Sequence, residues 1–237
     1  MFASVVDLLY PPACLLCRRR VTESGGVLCE ACEGAMAPCL PPLCQRCGVG
    51  LLGAYDAKLL CTRCQTRSFA FEQARAPFLY VGMVREAIHA FKYQGRRRIG
   101  FWLAAKMART ATRDLPVTEI DRIFPVPMHW LKLRLKGVNP AALLAQAVAK
   151  SLKLSCDLKL LQRTRWTPSQ TRLGVRERFR NVRGSVQARQ RGNSPPAVLL
   201  VDDVLTSGAT AHACALALRE AGVKRVFVLT AACAPIP

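Results

Sequence analysis

At 237 residues the chain can bury a substantial core, enough for one domain of about 150 residues and a smaller module. Its 35 Lys and Arg against 15 Asp and Glu leave a formal charge of +20, which points to a phosphate polymer or an anionic surface as partner, with a solvated arginine-rich surface as the plainer reading. No apolar run reaches the roughly 18 residues of a spanning helix, and the opening MFASVVDLLYPPAC lacks a signal-peptide pattern, so we expect no membrane span and a cytoplasmic location.

Twelve cysteines in a reducing compartment suggest metal rather than disulfides. Residues 14–32 read CLLCRRRVTESGGVLCEAC, two C-x2-C pairs separated by eleven residues, and residues 44–64 repeat the device with thirteen between the pairs. Each pair makes a tight knuckle presenting two thiolates to one ion, and a second knuckle completes a tetrahedral shell. A segment so poor in large apolar residues needs metal to supply its folding energy. The simplest pairing puts Cys14, Cys17, Cys29 and Cys32 around one Zn2+ and Cys44, Cys47, Cys61 and Cys64 around the other, and crossed pairing stays open. Closed all-thiolate sites are structural, so catalysis here is not expected. Cys39 reads as a spare thiol; Cys156, Cys214 and Cys233 read as small buried residues.

A double zinc ribbon is thus expected over 1–70 and a second domain over 71–237. From about residue 75, strand and helix patterns alternate. APFLYVG reads as a strand, VREAIHAFKYQG as a helix ending at Gly95, GFWLAAKMARTATRDL as a second helix, and DRIFPVP as a strand stopped by prolines. NPAALLAQAVAKSLKL begins with Asn139 as N-cap and Pro140 at the first helical position. VLLV is a strand without polar alternation, AHACALALREAG a helix closed by Gly222, and RVFVLTAA another strand. Strands without alternation are buried on both faces, which predicts an α/β fold with a parallel sheet covered by helices.

Asp202 and Asp203 close the VLLV strand, where ligands bind in such sheets. Adjacent carboxylates at a buried strand end repel each other and lose water, so a cationic or hydrogen-bonding partner is required. The following LTSGAT places hydroxyls and a glycine at the mouth of a helix, whose free N–H groups favour phosphate. A ribose 5-phosphate suits both ends: its diol meets the acids and its phosphate meets the loop.

VLLVDDVLTSGAT resembles the phosphoribosyl diphosphate motif of type I phosphoribosyltransferases, and a type I phosphoribosyltransferase-like fold is what that resemblance implies for the second domain. It also implies ribose contacts at Asp202 and Asp203 and 5-phosphate contacts at Thr206, Ser207, Gly208, Ala209 and Thr210. With paired zinc ribbons, FKYQGRRR, DRIFPVPMHW, KGVNPAALLA and RTRWTPSQTRLGVRERFRNV in that order, the chain resembles the competence protein F family, an amidophosphoribosyltransferase-like group. The family usually has Arg-Gly-Phe-Asn where Lys136, Gly137, Val138 and Asn139 stand, and often threonine in place of Ser207. Lysine keeps the charge but loses the planar fork.

By the same resemblance DRIFPVP is the diphosphate loop, with Val126 and Pro127 at its turn, and PSQTRLGVRERFRN is a mobile loop that folds over substrate, with Arg176 as a diphosphate contact. Lys92 is a further candidate contact, with a solvated helix-end lysine as its alternative. Mg2+ would accompany the diphosphate. Phe2 and the ribbons stand where the amidophosphoribosyltransferases carry a glutaminase, so ammonia release from glutamine is not expected. His129 is the one histidine to consider as a base; His89 and His212 read as packing or surface residues.

Residues 163–191 hold nine arginines and one acid, Glu177. Arg163, Arg165, Arg172, Arg178, Arg180, Arg183, Arg189 and Arg191, with Trp166 interleaved, have the ingredients of a single-strand track: bidentate phosphate pairing and a stacking face. The leading expectation is a phosphoribosyl-diphosphate-binding protein that also binds single-stranded DNA in natural competence, with proteins of the competence machinery as candidate partners. Its rival is an active phosphoribosyltransferase with an unknown acceptor.

Overall fold

A computed structural model describes residues 12–21, 26–51, 59–166, 175–189 and 194–236. The N-terminal segments form two zinc-ribbon-like knuckle pairs, each with one short helix, α1 (Glu30–Gly34) and α2 (Thr62–Gln65). The chain then runs through β1 (Gln73–Arg75), β2 (Phe78–Leu79), α3 (Gly82–Tyr93), α4 (Arg97–Asp114), a 3-10 turn (Val117–Glu119), β3 (Arg122–Pro125), α5 (Trp130–Lys136) and α6 (Pro140–Leu152). It continues through β4 (Ser155–Cys156), β5 (Leu161–Arg163), α7 (Val175–Val182), β6 (Val186–Ala188), β7 (Ala197–Leu205), α8 (Ala209–Glu220) and β8 (Arg225–Cys233).

Six strands form one sheet in the order β1-β8-β7-β3-β4, with β2 also on β8, and every pairing is parallel. The expected parallel α/β sheet is therefore present. β5 and β6 form a separate antiparallel pair. Residues 198–201 and 226–229 are fully or almost fully buried, as strands covered on both faces must be.

Alternate strand residues divide the core in two. Leu199, Val201, Phe227 and Leu229 face α3, α4 and α6, and the first ribbon packs into that same cluster through Cys14, Val21, Leu28 and Met36. Val198, Leu200, Val226 and Val228 face α8, and the second ribbon joins that side through Cys44, Cys47, Cys61 and Cys64 with Phe69 and Phe71. The two ribbons therefore cover opposite faces of the sheet.

Helix boundaries follow their sequence signals. Asn139 caps α6, its Oδ1 accepting the Ala141 N–H at 3.1 Å, with Pro140 at the first position. The expected strand at APFLYVG is reduced to β2, because Pro77 interrupts the ladder after β1. The sequence signals assign no element to WLKLRLK, whose apolar residues alternate as in a strand. It is helical because His129 caps it, Nδ1 accepting the Leu131 N–H at 3.3 Å, and Gly137 closes it at φ 74°.

Candidate functional site

Both cysteine clusters are assembled. Within Cys14, Cys17, Cys29 and Cys32, and within Cys44, Cys47, Cys61 and Cys64, all sulfurs lie within 4.8 Å of one another. Four thiolates about 2.3 Å from a tetrahedral Zn2+ lie about 3.8 Å apart, so both sets fit the ion, and the uncrossed pairing is the one that forms. Backbone donors favour thiolate: Cys44 Sγ accepts from the N–H groups of Cys47 at 3.5 Å and Cys61 at 3.4 Å. Burial raises the Cys14 thiol, but N–H donors from Cys17, Cys29 and Leu16 outweigh it and bring it down to about 6. Cys39 and Cys233 stand outside both clusters, their sulfurs 3.3 Å apart. Cys214 and Cys233 are buried as expected, whereas Cys156 is half-buried.

Asp202 and Asp203 lie near the carboxyl end of β7, beside the end of β3, at the floor of a cleft of about 590 Å³. The partner that the paired acids require is Lys92, at the end of α3, whose Nζ is 2.6 Å from Asp203 Oδ1. Burial would lower the Lys92 ammonium, but the Asp203 carboxylate outweighs it and the net shift is upward. Asp202 Oδ1 accepts the Asp203 N–H at 2.8 Å. Burial and the neighbouring Asp203 charge push the Asp202 carboxyl up to about 7, against the pull of Lys92 and Arg163.

Lys92, Val126, Pro127, Thr206 and Thr210 line the same cleft, so two distant segments, around residues 92 and 126, converge on the segment that carries the paired acids and the loop after them. Gly208 adopts φ 79°, the left-handed region, and N-caps α8. Ser207 Oγ accepts the Ala209 N–H at 3.4 Å. Asn139 also donates from Nδ2 to the Val126 carbonyl at 3.0 Å, tying the β3 turn to α6; its capping role was legible, this tie was not.

Arg163 and Trp166 line the cleft as well. Trp166 is met edge-on by His129 with ring centroids 5.5 Å apart, and Lys132 Nζ lies 4.9 Å from its ring centre. Lys136 Nζ covers Tyr93 at 4.5 Å. Arg165, Arg180, Arg183 and Arg189 are exposed and do not line the cleft, Arg165 donating to the carbonyls of Asn181 and Arg183. Arg180 and Arg183 border a groove between α7 and α8. Arg172 and Arg191, and the side chains of Arg176 and Arg178, lie outside the described residues. His212, expected to be a packing or surface residue, accepts the Ala70 N–H at Nδ1, 3.0 Å away.

Among the described residues no helix is long and apolar enough to cross a membrane. Residues 5–65 match the double zinc ribbon domain model. Competence protein F of Haemophilus influenzae is 27% identical over 224 residues, 91% of this chain and 94% of its own length. The DNA utilization protein YhgH of Salmonella typhi is 30% identical over 231 residues, 93% of this chain and 96% of its own. The chain belongs to the competence protein F family. As a family member it carries the double zinc ribbon and mostly parallel sheet described above, and the two intact clusters support structural zinc. The crystal structure of TT1426 from Thermus thermophilus overlaps 54% of the chain and 71% of its own length, with a TM-score of 0.32 and 19% identity.

Proposed function

We propose that the protein binds phosphoribosyl diphosphate in the β7 cleft and single-stranded DNA on its arginine-rich surface, and acts in competence or DNA utilization in the cytoplasm. The observation that carries the reading is the convergence of Asp202 and Asp203 with the Thr206–Thr210 loop at the amino end of α8. A sugar diol donates hydrogen bonds to carboxylates, and a 5-phosphate accepts them from the loop N–H groups and hydroxyls. Lys92 supplies the charge that lets two acids share one floor. Val126 and Pro127, which line the same cleft, are the proposed diphosphate contacts, and carboxylate oxygens are the ligand type that Mg2+ takes. Arg176, on α7, is a further proposed contact.

The DNA half of the reading draws on the +20 charge and on the exposed Arg165, Arg180, Arg183 and Arg189. Trp166, 43% exposed, offers a face to an unpaired base at the cleft mouth. The names of the Haemophilus and Salmonella relatives favour this reading over a transferase with an unrelated acceptor.

Calorimetry with phosphoribosyl diphosphate and Mg2+, alongside single-strand binding across a salt series, tests both halves. We expect saturable phosphoribosyl diphosphate binding that Asp202→Asn with Asp203→Asn abolishes. DNA affinity should fall by about 0.7 log units per log unit of salt for each phosphate neutralised. Arg183→Glu with Arg189→Glu should weaken DNA alone. A double mutant at the acids that binds as the parent does removes the ribose assignment. Absence of single-strand binding at about 0.15 M salt leaves phosphoribosyl transfer as the better reading, and pyrophosphate release would then be the signal to seek.

A further inference from the structure

The phosphate loop is held from outside the cleft by the second ribbon. Arg63 lies between Cys61 and Cys64, and its guanidinium spans two modules. Nη1 donates to the Thr206 carbonyl at 2.5 Å, and Nη2 donates to Cys47 Sγ at 3.3 Å. Cys47 belongs to the opposite knuckle of the same cluster, so one side chain joins both knuckles to the first residue of the loop.

A second contact comes from the same segment. The Phe69 ring lies against Gly208 so closely that a Cβ there would meet it at 2.6 Å. Phe69 is itself fixed by the other knuckle, since Arg46, between Cys44 and Cys47, donates from Nη1 to the carbonyls of Phe69 and Phe71 at 3.2 Å each. Both knuckles therefore bear on residues 206–208, one through Arg63 and one through Arg46 and Phe69. The first ribbon is placed differently: its polar ties run from Glu33 to Lys106 and from Gly26 to Arg98, both on α4 across the sheet.

We propose that Arg63 is a positioning residue that couples metal occupancy of the second cluster to ligand binding at the phosphate loop; the inference rests on the reading of that loop as the phosphoribosyl diphosphate site. Four thiolates on one Zn2+ fix the two knuckles relative to each other, and only then can Arg63 reach Cys47 and Thr206 together. A loop carbonyl held outward by a cationic donor leaves the loop N–H groups directed into the cleft. Linkage makes the effect reciprocal: if zinc in this cluster favours the ligand, the ligand must favour zinc in this cluster by the same factor.

The test is the zinc affinity of the two clusters, read by competition at equilibrium with a colorimetric chelator, with and without saturating phosphoribosyl diphosphate and excess Mg2+. In the parent, the ligand should raise the affinity for one of the two ions by roughly tenfold and leave the other unchanged. Arg63→Ala removes no metal ligand, so zinc content should stay at the parent level while the protection disappears and ligand affinity falls by a similar factor. Arg63→Lys, which keeps charge but not the fork, should fall between them; it decides the matter if the alanine variant loses metal on purification. Ligand binding without protection of either ion in the parent overturns the coupling and leaves the site assignment intact. Equal protection in the parent and Arg63→Lys, or protection of the first cluster instead, also overturns it. A parent that binds no phosphoribosyl diphosphate removes the site reading and the coupling with it.

Discussion

Lys92 Nζ lies 2.6 Å from Asp203 Oδ1, with both side chains about four-fifths shielded from water. A pair so placed is costly to split, because the surviving charge is left partly desolvated beside a second acid. Lys92→Met should therefore lower stability at neutral pH by about 1–3 kcal/mol, less than for a fully buried pair. It should also push the Asp202 titration further upward, since Lys92 is one of the groups that oppose its rise. Urea unfolding and carboxyl titration by NMR would check the two effects separately.

Asp202 gives the protein a pH signature. Its carboxyl is pushed up to about 7 in the folded chain, against an ordinary value of 3.8. Between those values the folded protein holds a proton that the unfolded chain has released, so this group's contribution to stability falls as pH rises through the window. Asp202→Asn should be more stable than the parent by about 1–3 kcal/mol above pH 7, and the advantage should fade towards pH 4. Binding of the diol should run the other way, strengthening in the parent as pH rises through about 7 and the carboxylate forms. Denaturant midpoints and calorimetry across that range would show both trends.

Gly208 leaves no room for a side chain. Its φ of 79° favours glycine, and a Cβ would press on the Phe69 ring at 2.6 Å. Gly208→Ala should cost about 1–3 kcal/mol and weaken phosphoribosyl diphosphate binding. Adding Phe69→Leu should recover part of the stability by relieving the clash, while the backbone penalty remains. Thermal melts of the single and double variants would separate the two costs.

Two complete thiolate clusters lead us to expect about two zinc ions per chain by elemental analysis. Cys14→Ser and Cys44→Ser should each lose one ion and sharply lower the melting temperature, because these knuckles contribute core on opposite faces of the sheet. A single ion in the parent would be inconsistent with this assembly.

The paired acids, the glycine in the loop and the eight ligand cysteines were legible because each belongs to a short contiguous pattern with its own chemistry. The parallel sheet was legible because β7 and β8 show no polar alternation. Arg63 and Thr206 were not legible as partners: they are 143 residues apart, and within its C-x2-C pair Arg63 looks like any charged residue. Trp166 reads in sequence as one aromatic among arginines, yet its neighbours are His129 and Lys132, brought in by α5 from beyond the β3 turn. Strand-like alternation masks that helix in the sequence, and its cap is a histidine, an uncommon capping residue.

The position of β8 has a consequence for how the chain reaches this structure. It follows every other described strand in sequence, yet it lies inside the sheet, between β7 on one side and β1 and β2 on the other. While the protein is being synthesised, β1 has no ladder partner, and β2 only its bridge to Pro38, until β8 has emerged, although both ribbons precede them and are already able to take up metal. Long-range closure of this kind is slow and exposes apolar strand edges in the interval. Early metal capture would give the nascent chain two ordered caps, and the sheet would close between them only once β8 has emerged.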